Sequence, residues 1–430
     1  MSMTATRAHA GARTLSLLDR LFDGYRRDFA VRLWDGTERG ADEGEEARFT
    51  LVLNHEGALR RILSAPSRLQ LSFAEAYLYG DLDIEGDLGA VFPLADWLLI
   101  ERRWGKREQL QLLRQAQELP AGPRTRRGRG PARLRGTRDS AERLAQAVHY
   151  HYDLDPDFYG LFLDRRLVYT CAYFRSRDDD LDTAQEQKLD YICRKLRLQP
   201  GERLFDIGCG WGALVMHAAQ KYGVDALGVT LSAPQAALAN ERIRAAGLGG
   251  RCRVKVRDFR EVTGEFDKVS SIGMFEHLTE AALPEYFAHV HQVLRPGGAF
   301  LNHGIGEPVT VRARRGGSFT MAYIFPDCEL LPISTTLREA EAAGFEVRDV
   351  ESLREQYALT VSAWRSRLEA GHDCAVAATD EVTYRVWRLG MAGFMYGQRA
   401  GRLNLWQALL VKPAADGASG LPLTRTDWYA

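Results

Sequence analysis

After residue 140, short apolar runs alternate along the chain with segments whose apolar residues recur at helical spacing. The runs with the pattern of strands are "RLFDIG", "DALGVTLS", "CRVKVRD", "DKVSSIGMF" and "GAFLNHGIG". The segments with the pattern of helices are "ALVMHAAQKYG", "APQAALANERIRAAG" and "LPEYFAHVHQVL". This order predicts a parallel, doubly wound α/β sheet with right-handed crossovers. Ligands of such sheets bind beyond the carboxyl ends of the strands.

The first 118 residues have a different pattern. Two strand-like runs, "FAVRLWDG" and "RFTLVLNHEGAL", precede "LSFAEAYLYGDLDIEGDLGAVFPLADWLL", which has the pattern of a helix, a polar turn and a second helix. Residues 119–140, "LPAGPRTRRGRGPARLRGTRDS", are rich in Arg, Gly and Pro and lack apolar periodicity, as is typical of a linker. The prediction is therefore a smaller α+β N-terminal domain (1–118), a linker (119–140) and a C-terminal domain (141–430).

Charge and cysteine content narrow the function classes. The chain has 57 Lys and Arg against 57 Asp and Glu, so no overall field attracts nucleic acid. No aromatic residues interleave with the linker arginines, which favours solvent or lipid phosphate over RNA as their contact. The six cysteines form no CxxC pair, which argues against a disulfide framework and a zinc cluster and fits a reducing cytosol. Without a signal-peptide core or a run of about 18 apolar residues, we expect a soluble protein that can still touch a membrane.

The stretch "RLFDIGCGWGALVMH" places Gly208, Gly210 and Gly212 between a strand and a helix. Glycines at such a turn let the backbone approach a ligand closely. The stretch lacks the Lys and hydroxyl residue of a P-loop, and its spacing is not that of a dinucleotide motif. Asp206 at the strand end suits a zwitterionic ligand that carries an ammonium, a carboxylate and a sugar. The alternative, an ordinary glycine turn, is disfavoured by the surrounding strand–helix units.

Several further motifs follow in order along the chain: "HYHYDLDPDFYGLFLD", "YTCAYF", "FDIGCGWGAL", "GVTLSAPQ", "GMFEH", "LRPGGAFLNHGIG", "YIFP" and "LWQALL". Together they resemble class I S-adenosylmethionine-dependent methyltransferases, specifically the cyclopropane fatty acid synthase and mycolic acid cyclopropane synthase family. The resemblance spans residues 148–411, and "YLYGDLDIEGDL" extends it into the N-terminal domain. It implies a Rossmann-like class I methyltransferase fold and S-adenosylmethionine as the cofactor.

The resemblance also implies which residues surround the cofactor. These are Tyr169, Thr170, Asp206, Gly208, Gly210, Thr230, Leu231, Ser232, Gln235, Asp258 and Phe259. Hydroxyl and amide groups after the second strand suit the ribose, although Ser232 also has the position of a helix N-cap. Asp258 and Phe259 are implied to hold the adenine, and a solvated strand end is the alternative for this pair.

Cyclopropane formation requires a base in addition to the cofactor. A methyl cation added to a cis alkene leaves a carbocation, and ring closure removes a proton from the new methyl group. In the family that base is a bound bicarbonate, and the matching positions are Cys171, Glu276, His303, Ile305 (through its backbone) and Tyr357. Glu276 and His303 end separate predicted strands, where functional groups of such sheets gather.

These positions have other interpretations. His303 on its apolar strand has the pattern of a structural histidine when taken alone. A nucleophilic Cys171 is disfavoured, because a thiolate beside a carbocation would be alkylated. The remaining alternative is a metal held by Cys171, Glu276, His277 and His303. The adjacent residues Glu276 and His277 would face opposite sides of a strand, so we expect no metal.

Aromatic residues are implied to line an acyl tunnel, with plain core packing as the alternative for each. They include Tyr173, Phe174, Phe275, Tyr323, Phe325 and Phe394. Many relatives have a small residue or a cysteine where Phe394 falls, which leaves the chain preference open.

The expected function is transfer of a methylene group from S-adenosylmethionine to cis double bonds of unsaturated phospholipid acyl chains, which forms cyclopropane fatty acids. The alternative within the enzyme class is a methyltransferase that makes methyl-branched or methylene acyl chains. A binding module without turnover is disfavoured, because Glu276 and His303 are both present. We expect a cytoplasmic homodimer in transient contact with the inner face of the membrane, with the N-terminal domain for lipid docking and dimerisation and no nucleic-acid partner.

Overall fold

The computed structural model describes residues 3–102, 104–123, 127–311 and 318–429, so residues 124–126 of the predicted linker lie outside the described residues. Within those residues the strands are β1 (Ala30–Arg32), β2 (Glu38–Arg39), β3 (Phe49–Leu53), β4 (Leu82–Gly86), β5 (Arg203–Ile207), β6 (Asp225–Thr230), β7 (Cys252–Val256), β8 (Phe266–Ile272), β9 (Leu294–Gly306), β10 (Glu346–Ser352) and β11 (Asn404–Val411).

The helices in the same part of the chain are α1 (Met3–Leu21), α2 (Ala58–Leu63), α3 (Leu69–Leu78), α4 (Val91–Asp96), α5 (Lys106–Gln117), α6 (Ala141–Tyr152), α7 (Pro156–Gly160), α8 (Leu181–Leu196), α9 (Ala213–Tyr222), α10 (Ala233–Ala245), α11 (Leu283–Val293), α12 (Phe319–Tyr323), α13 (Ile333–Ala342), α14 (Arg354–Ala370), α15 (His372–Ala378) and α16 (Glu381–Arg399). A π-helical turn, Trp97–Glu101, follows α4. None of these helices combines the length and apolar character needed to cross a bilayer.

The larger sheet has seven strands in the order β7-β6-β5-β8-β9-β11-β10. The pairs from β7 to β9 are parallel, whereas β11 is antiparallel to both β9 and β10. Strand β5 is the middle one of the five parallel strands, and Leu204–Ile207 are all buried because helices cover both faces of a parallel sheet. The predicted α/β class is confirmed, and the strands and helices expected from 203 to 306 are all present.

The chain forms two compact units. One comprises the described residues within Met1–Pro131, Ala313–Ile324 and Asp380–Tyr396, and the other comprises those within Ala132–Arg312, Phe325–Thr379 and Gly397–Ala430. The first unit therefore includes two segments from the second half of the chain, which the local sequence pattern did not indicate. The second unit contains the seven-stranded sheet.

The first unit contains a four-stranded sheet in the order β2-β1-β3-β4. Here one prediction was wrong: the stretch "GDLDIEGD" is not only a polar turn between helices, because β4 lies within it and pairs antiparallel with β3. Leu82 and Ile84 are buried, and the acidic residues that alternate with them are not. This period of two is the strand signal that the surrounding helical pattern obscured.

Candidate active site

A cavity of about 1140 Å³, including its opening to solvent, lies at the carboxyl ends of the parallel strands in the second unit. The turn after β5 contributes Gly208–Trp211 to its wall, and the end of β6 contributes Thr230 and Leu231. Residues that follow β7 and β8 complete the wall, among them Phe259 and Met274. The cavity therefore occupies the place where ligands of doubly wound sheets bind.

The glycine turn requires glycine for its shape. Gly208 has a φ of +75° and Gly210 a φ of +52°, a region that side chains with a Cβ disfavour. A Cβ at Gly208 would also lie 2.8 Å from the Cβ of Met274. The N–H groups of Gly208 and Cys209 both donate to the Val229 carbonyl at 3.0 Å, so these two amides serve the turn itself. The glycines thus allow the backbone to approach a ligand closely. The N–H groups of Gly208 and Cys209 are already used within the turn and are not free to bind that ligand.

Two opposite charges lie in the cavity wall. Asp206, at the end of β5, is buried and accepts a hydrogen bond from Ser270 Oγ at 2.7 Å. Burial raises the pKa of Asp206 to about 7, although Ser270 and Lys188 oppose that shift. Lys188 Nζ donates to Thr170 Oγ1 at 2.9 Å, and burial lowers the pKa of this lysine to about 8. A wall with one acid and one base suits a zwitterion.

Lys188 was not predicted from the sequence. It lies on α8, on the face that also carries the buried residues Ala184, Gln185 and Ile192. Polar residues at helical spacing within an otherwise apolar stripe are the signal that would have found it, because a buried lysine needs a specific partner.

Most of the predicted cofactor residues come together in this cavity. Those that line it are Tyr169, Thr170, Asp206, Gly208, Gly210, Thr230, Leu231, Gln235, Asp258 and Phe259. Ser232 does not: its buried hydroxyl donates to Asp153 Oδ1 at 2.8 Å and accepts from the Gln235 N–H at the start of α10. The N-cap interpretation therefore describes the position of Ser232.

The predicted bicarbonate residues form a second cluster beside the cavity. Glu276 Oε1 accepts a hydrogen bond from the Ile305 N–H at 2.7 Å, and Glu276 Oε2 is buried with no hydrogen-bond partner among the described residues. Burial raises the pKa of Glu276 to about 7. His303 Nδ1 lies 3.0 Å from Gln407 Nε2, and His303 Nε2 is likewise buried without such a partner. Buried polar atoms are usually satisfied, and other atoms of the described residues also lack a protein partner, so it is the place of these two beside the cavity that makes them candidates for ligand contacts.

Cys171 and Tyr357 complete this cluster. Both are buried, and burial raises the pKa of the Cys171 thiol, which keeps it neutral. The pKa of Tyr357 is raised by burial and then by the neighbouring Cys171, Tyr169 and Glu276. Since Tyr169 also lines the cavity, it connects the second cluster to the cofactor wall.

Glu276 and His277 lie in a 3-10 turn, Phe275–His277, beyond the end of β8, so the strand alternation expected for them does not apply. His277 still separates from Glu276. It lines the cavity, whereas Glu276 does not, and burial lowers the pKa of His277 to about 4. Within the described residues, no group of three His, Cys, Asp or Glu side chains is arranged to hold a metal ion.

The predicted tunnel residues are divided between the two units. Tyr323 and Phe394 belong to the first unit, and Tyr173, Phe174, Phe275 and Phe325 belong to the second. In the second unit the Phe275 ring packs directly against the backbone of Gly304, and the Phe325 ring lies 4.1 Å from the ring of His151. The acyl tunnel stays a prediction.

Comparison with known proteins finds similar chains and matching family models. Residues 139–408 match a family model described as mycolic acid cyclopropane synthetase, and residues 16–95 match a domain of unknown function. The chain is 39% identical over 407 residues to a probable fatty acid methyltransferase of Pseudomonas putida, which covers 93% of this chain and 95% of the relative. It is 34% identical over 267 residues to a cyclopropane-fatty-acyl-phospholipid synthase of Escherichia coli, covering 62% of this chain and 68% of the relative. A mycolic acid cyclopropane synthase solved with SAH and CTAB superposes with a TM-score of 0.59 at 33% identity, covering 62% of this chain and 97% of that structure.

Proposed function

The chain belongs to the mycolic acid cyclopropane synthetase family of S-adenosylmethionine-dependent methyltransferases, and from that membership we propose that it converts cis double bonds of unsaturated phospholipid acyl chains into cyclopropane rings. S-adenosylmethionine, when bound, supplies an electrophilic methyl group on a sulfonium. In the proposal Asp206 meets the ammonium of its methionine portion, and Lys188 meets the carboxylate. Thr230 and Gln235 face the ribose, and Asp258 with Phe259 faces the adenine.

The observation that carries the proposal is a pair of buried polar atoms beside the cofactor cavity, Glu276 Oε2 and His303 Nε2, for which the described part of the chain offers no hydrogen-bond partner. A bicarbonate ion has oxygens that accept and an O–H that donates, so it matches one donor and one acceptor on the protein. In the proposal His303 Nε2–H donates to it, Glu276 Oε2 accepts from it, and the neutral thiol of Cys171 and the hydroxyl of Tyr357 complete its shell. Ile305 acts through its N–H, which holds the Glu276 carboxyl in place.

The neutral state of the neighbouring groups supports the same chemistry. Burial holds the Cys171 thiol and the His277 ring in their uncharged forms, by raising the pKa of the thiol and lowering that of the ring. A thiolate would be alkylated by the cofactor or trapped by the carbocation. The site therefore has a means to remove a proton and few groups that would compete for the cation.

A second candidate is a methyltransferase that makes methyl-branched or methylene acyl chains from the same carbocation. The observation that favours it is the 39% identity to a probable fatty acid methyltransferase. The cyclopropane product and the methyl-branched or methylene product differ in which proton the carbocation loses, or in whether a hydride shift comes before that loss.

In the deciding experiment the protein is incubated with S-adenosylmethionine and vesicles of a cis-monounsaturated phospholipid. The lipid is then extracted and its proton NMR spectrum is recorded. Strongly shielded ring-proton signals are the expected result. Olefinic methylene or branched-methyl signals without ring protons would transfer the assignment to the second candidate. Mass alone is insufficient, because a cyclopropane and an exocyclic methylene have the same mass.

The proposal also includes transient contact with the inner face of a membrane by a cytoplasmic homodimer. The first unit exposes Leu99 and Ile100 on the π-helical turn, and Ile100 is 51% exposed. The Arg102 guanidinium lies 5.1 Å from the Trp97 ring centroid and 4.0 Å from that of Trp104. Apolar tips beside tryptophan and arginine are typical of segments that sit at a lipid interface. Sedimentation with vesicles tests the contact, and analytical ultracentrifugation tests the dimer.

A further inference from the structure

A buried polar chain leads from α8 across the sheet to His303. We propose that Gln407, itself oriented by Lys195, is a positioning residue that fixes His303 as the neutral tautomer with its proton on Nε2. The inference rests on the proposed function only in so far as His303 is the residue that donates to bicarbonate.

Lys195 is fully buried on α8. Its Nζ lies 2.5 Å from Glu351 Oε2 and 3.6 Å from Asp349 Oδ2, and these carboxylates compensate its charge. The same Nζ donates to Gln407 Oε1 at 2.9 Å. An ammonium group has three donors and no acceptor, so the atom of Gln407 that faces it must be the carbonyl oxygen. The ion pair thereby decides an amide orientation that is otherwise ambiguous.

With its oxygen on Lys195, Gln407 presents its NH₂ group to the imidazole. Gln407 lies directly opposite His303 in the antiparallel pairing of β11 with β9, and the amide Nε2 is 3.0 Å from His303 Nδ1. An NH₂ group donates, so Nδ1 must carry the lone pair. Burial lowers the pKa of His303 well below its usual value, so the ring is neutral and its single proton lies on Nε2.

In this tautomer His303 Nε2 carries the proton and is a fixed donor. The same atom has no hydrogen-bond partner among the described residues. Glu276 Oε2 also has no hydrogen-bond partner among the described residues, and an ionised carboxylate can only accept. An anion with one O–H is then held in one orientation, with an oxygen toward His303 and its O–H toward Glu276. The opposite tautomer would direct the Nε2 lone pair at the anion, and the anion would no longer be held in this one orientation.

The test is Gln407→Glu, which keeps the length of the side chain and the Lys195 contact. A carboxylate has no donor, so its second oxygen accepts a proton from Nδ1 and forces His303 into the Nδ1–H form or the imidazolium. Long-range ¹H–¹⁵N NMR of protein labelled with ¹⁵N-histidine distinguishes protonated from unprotonated ring nitrogens, and His303→Gln identifies the signal by its loss. We expect Nε2–H in the wild-type protein and protonated Nδ1 in Gln407→Glu.

Asn302→Asp is the matched control. Asn302 is the neighbouring buried residue on β9, and its Oδ1 accepts from Tyr286 Oη at 2.9 Å. The substitution also converts a buried amide into a carboxylate, but not at the contact with the imidazole, so the His303 signal should be unchanged. Gln407→Met, which removes the donor without adding an acceptor, should give a mixture of tautomers and replaces Gln407→Glu if that variant does not fold.

Turnover in degassed buffer, with bicarbonate added back, measures the consequence. We expect Gln407→Glu to need at least tenfold more bicarbonate for half-maximal rate, with the affinity for S-adenosylmethionine unchanged. A wild-type His303 protonated on Nδ1 would overturn the inference, and so would a wild-type protein that depends on bicarbonate together with a Gln407→Glu variant that needs no more of it. If the tautomers behave as stated but neither protein responds to bicarbonate, the positioning by Gln407 stands and the proposed role of bicarbonate fails.

Discussion

Replacing Glu276 with Gln changes what the buried carboxyl group offers to a ligand while keeping its shape. The Ile305 N–H donates to Oε1 at 2.7 Å, and a backbone N–H cannot accept. In the variant the carbonyl oxygen must therefore occupy the Oε1 position, and the NH₂ group takes the place of Oε2. The substitution converts an acceptor into a donor at the atom that faces the proposed bicarbonate, and it removes the capacity to take up a proton.

The expected loss of activity follows from that exchange. Proton transfer by a positioned side chain typically contributes about 10²- to 10⁴-fold to the rate, so kcat should fall by a factor of that size. Glu276 does not line the cofactor cavity, and the affinity for S-adenosylmethionine should therefore stay close to that of the wild-type protein. In the wild-type protein the ionised form of Glu276 accumulates above about pH 7, so kcat should rise as the pH increases through that value.

Glu276→Gln should lower kcat but raise the free energy of unfolding. The pKa of Glu276 is raised from 4.5 to about 7 by burial, so folding favours the protonated form. The stabilisation that this group contributes is present below pH 4.5 and is lost as the pH rises through 7, by roughly 3 kcal/mol in total. Gln has no such dependence. The variant should therefore gain free energy of unfolding relative to the wild-type protein between pH 5 and pH 8.

Three measurements check this reasoning: kcat on vesicles, calorimetry with S-adenosylmethionine, and urea unfolding at both ends of the pH range. Glu261→Gln is the control, because this exposed carboxylate lies 3.8 Å from Arg257 and should change none of them. An undiminished kcat would refute the proton-accepting role. A lost cofactor affinity with an intact fold would instead assign Glu276 to the cofactor shell.

Three further predictions concern the cofactor and the membrane. Gly208→Ala should weaken cofactor binding about tenfold. A φ of +75° costs a residue with a Cβ about 1–2 kcal/mol, and the new Cβ would meet a methionine side chain at the cavity wall. The control is Gly201→Ala, which has a φ of +83° in open space outside the cavity and should lower only stability. Because burial raises the pKa of Asp206 to about 7, its ionised form increases above that pH, and calorimetry should show tighter cofactor binding at pH 8 than at pH 6, whereas equal affinity would contradict its contact with the ammonium. Ile100→Ser should reduce sedimentation with anionic vesicles without lowering turnover on detergent-dispersed lipid, and Leu423→Ser, at an exposed leucine of the other unit, should not.

The sequence predicted the sheet and the cofactor turn well because both depend on local patterns. Apolar strands such as Arg203–Ile207 and the glycines after them are visible within a few residues of chain. The polar chain to His303 is different, since Lys195 and Gln407 are 212 residues apart, and the motif "LWQALL", which contains Gln407, gives no sign of the lysine that it contacts. The pairing of β11 with β9 places Gln407 opposite His303, and the packing of α8 brings Lys195 to Gln407. Their burial shows that these hydrogen bonds matter.

The pKa shifts around the site follow one principle, which is that burial favours the neutral form of each group. Burial raises the pKa of the Cys171 thiol far above physiological pH, so the thiol stays protonated and is not prepared to attack a sulfonium or a carbocation. Asp206 and Glu276 are brought to about 7 by the same cause, where a ligand contact is enough to set their charge. A cationic ammonium next to Asp206 would favour the carboxylate, and an O–H donor beside Glu276 would do the same. The charges of Asp206 and Glu276 are therefore set by the ligands that bind beside them.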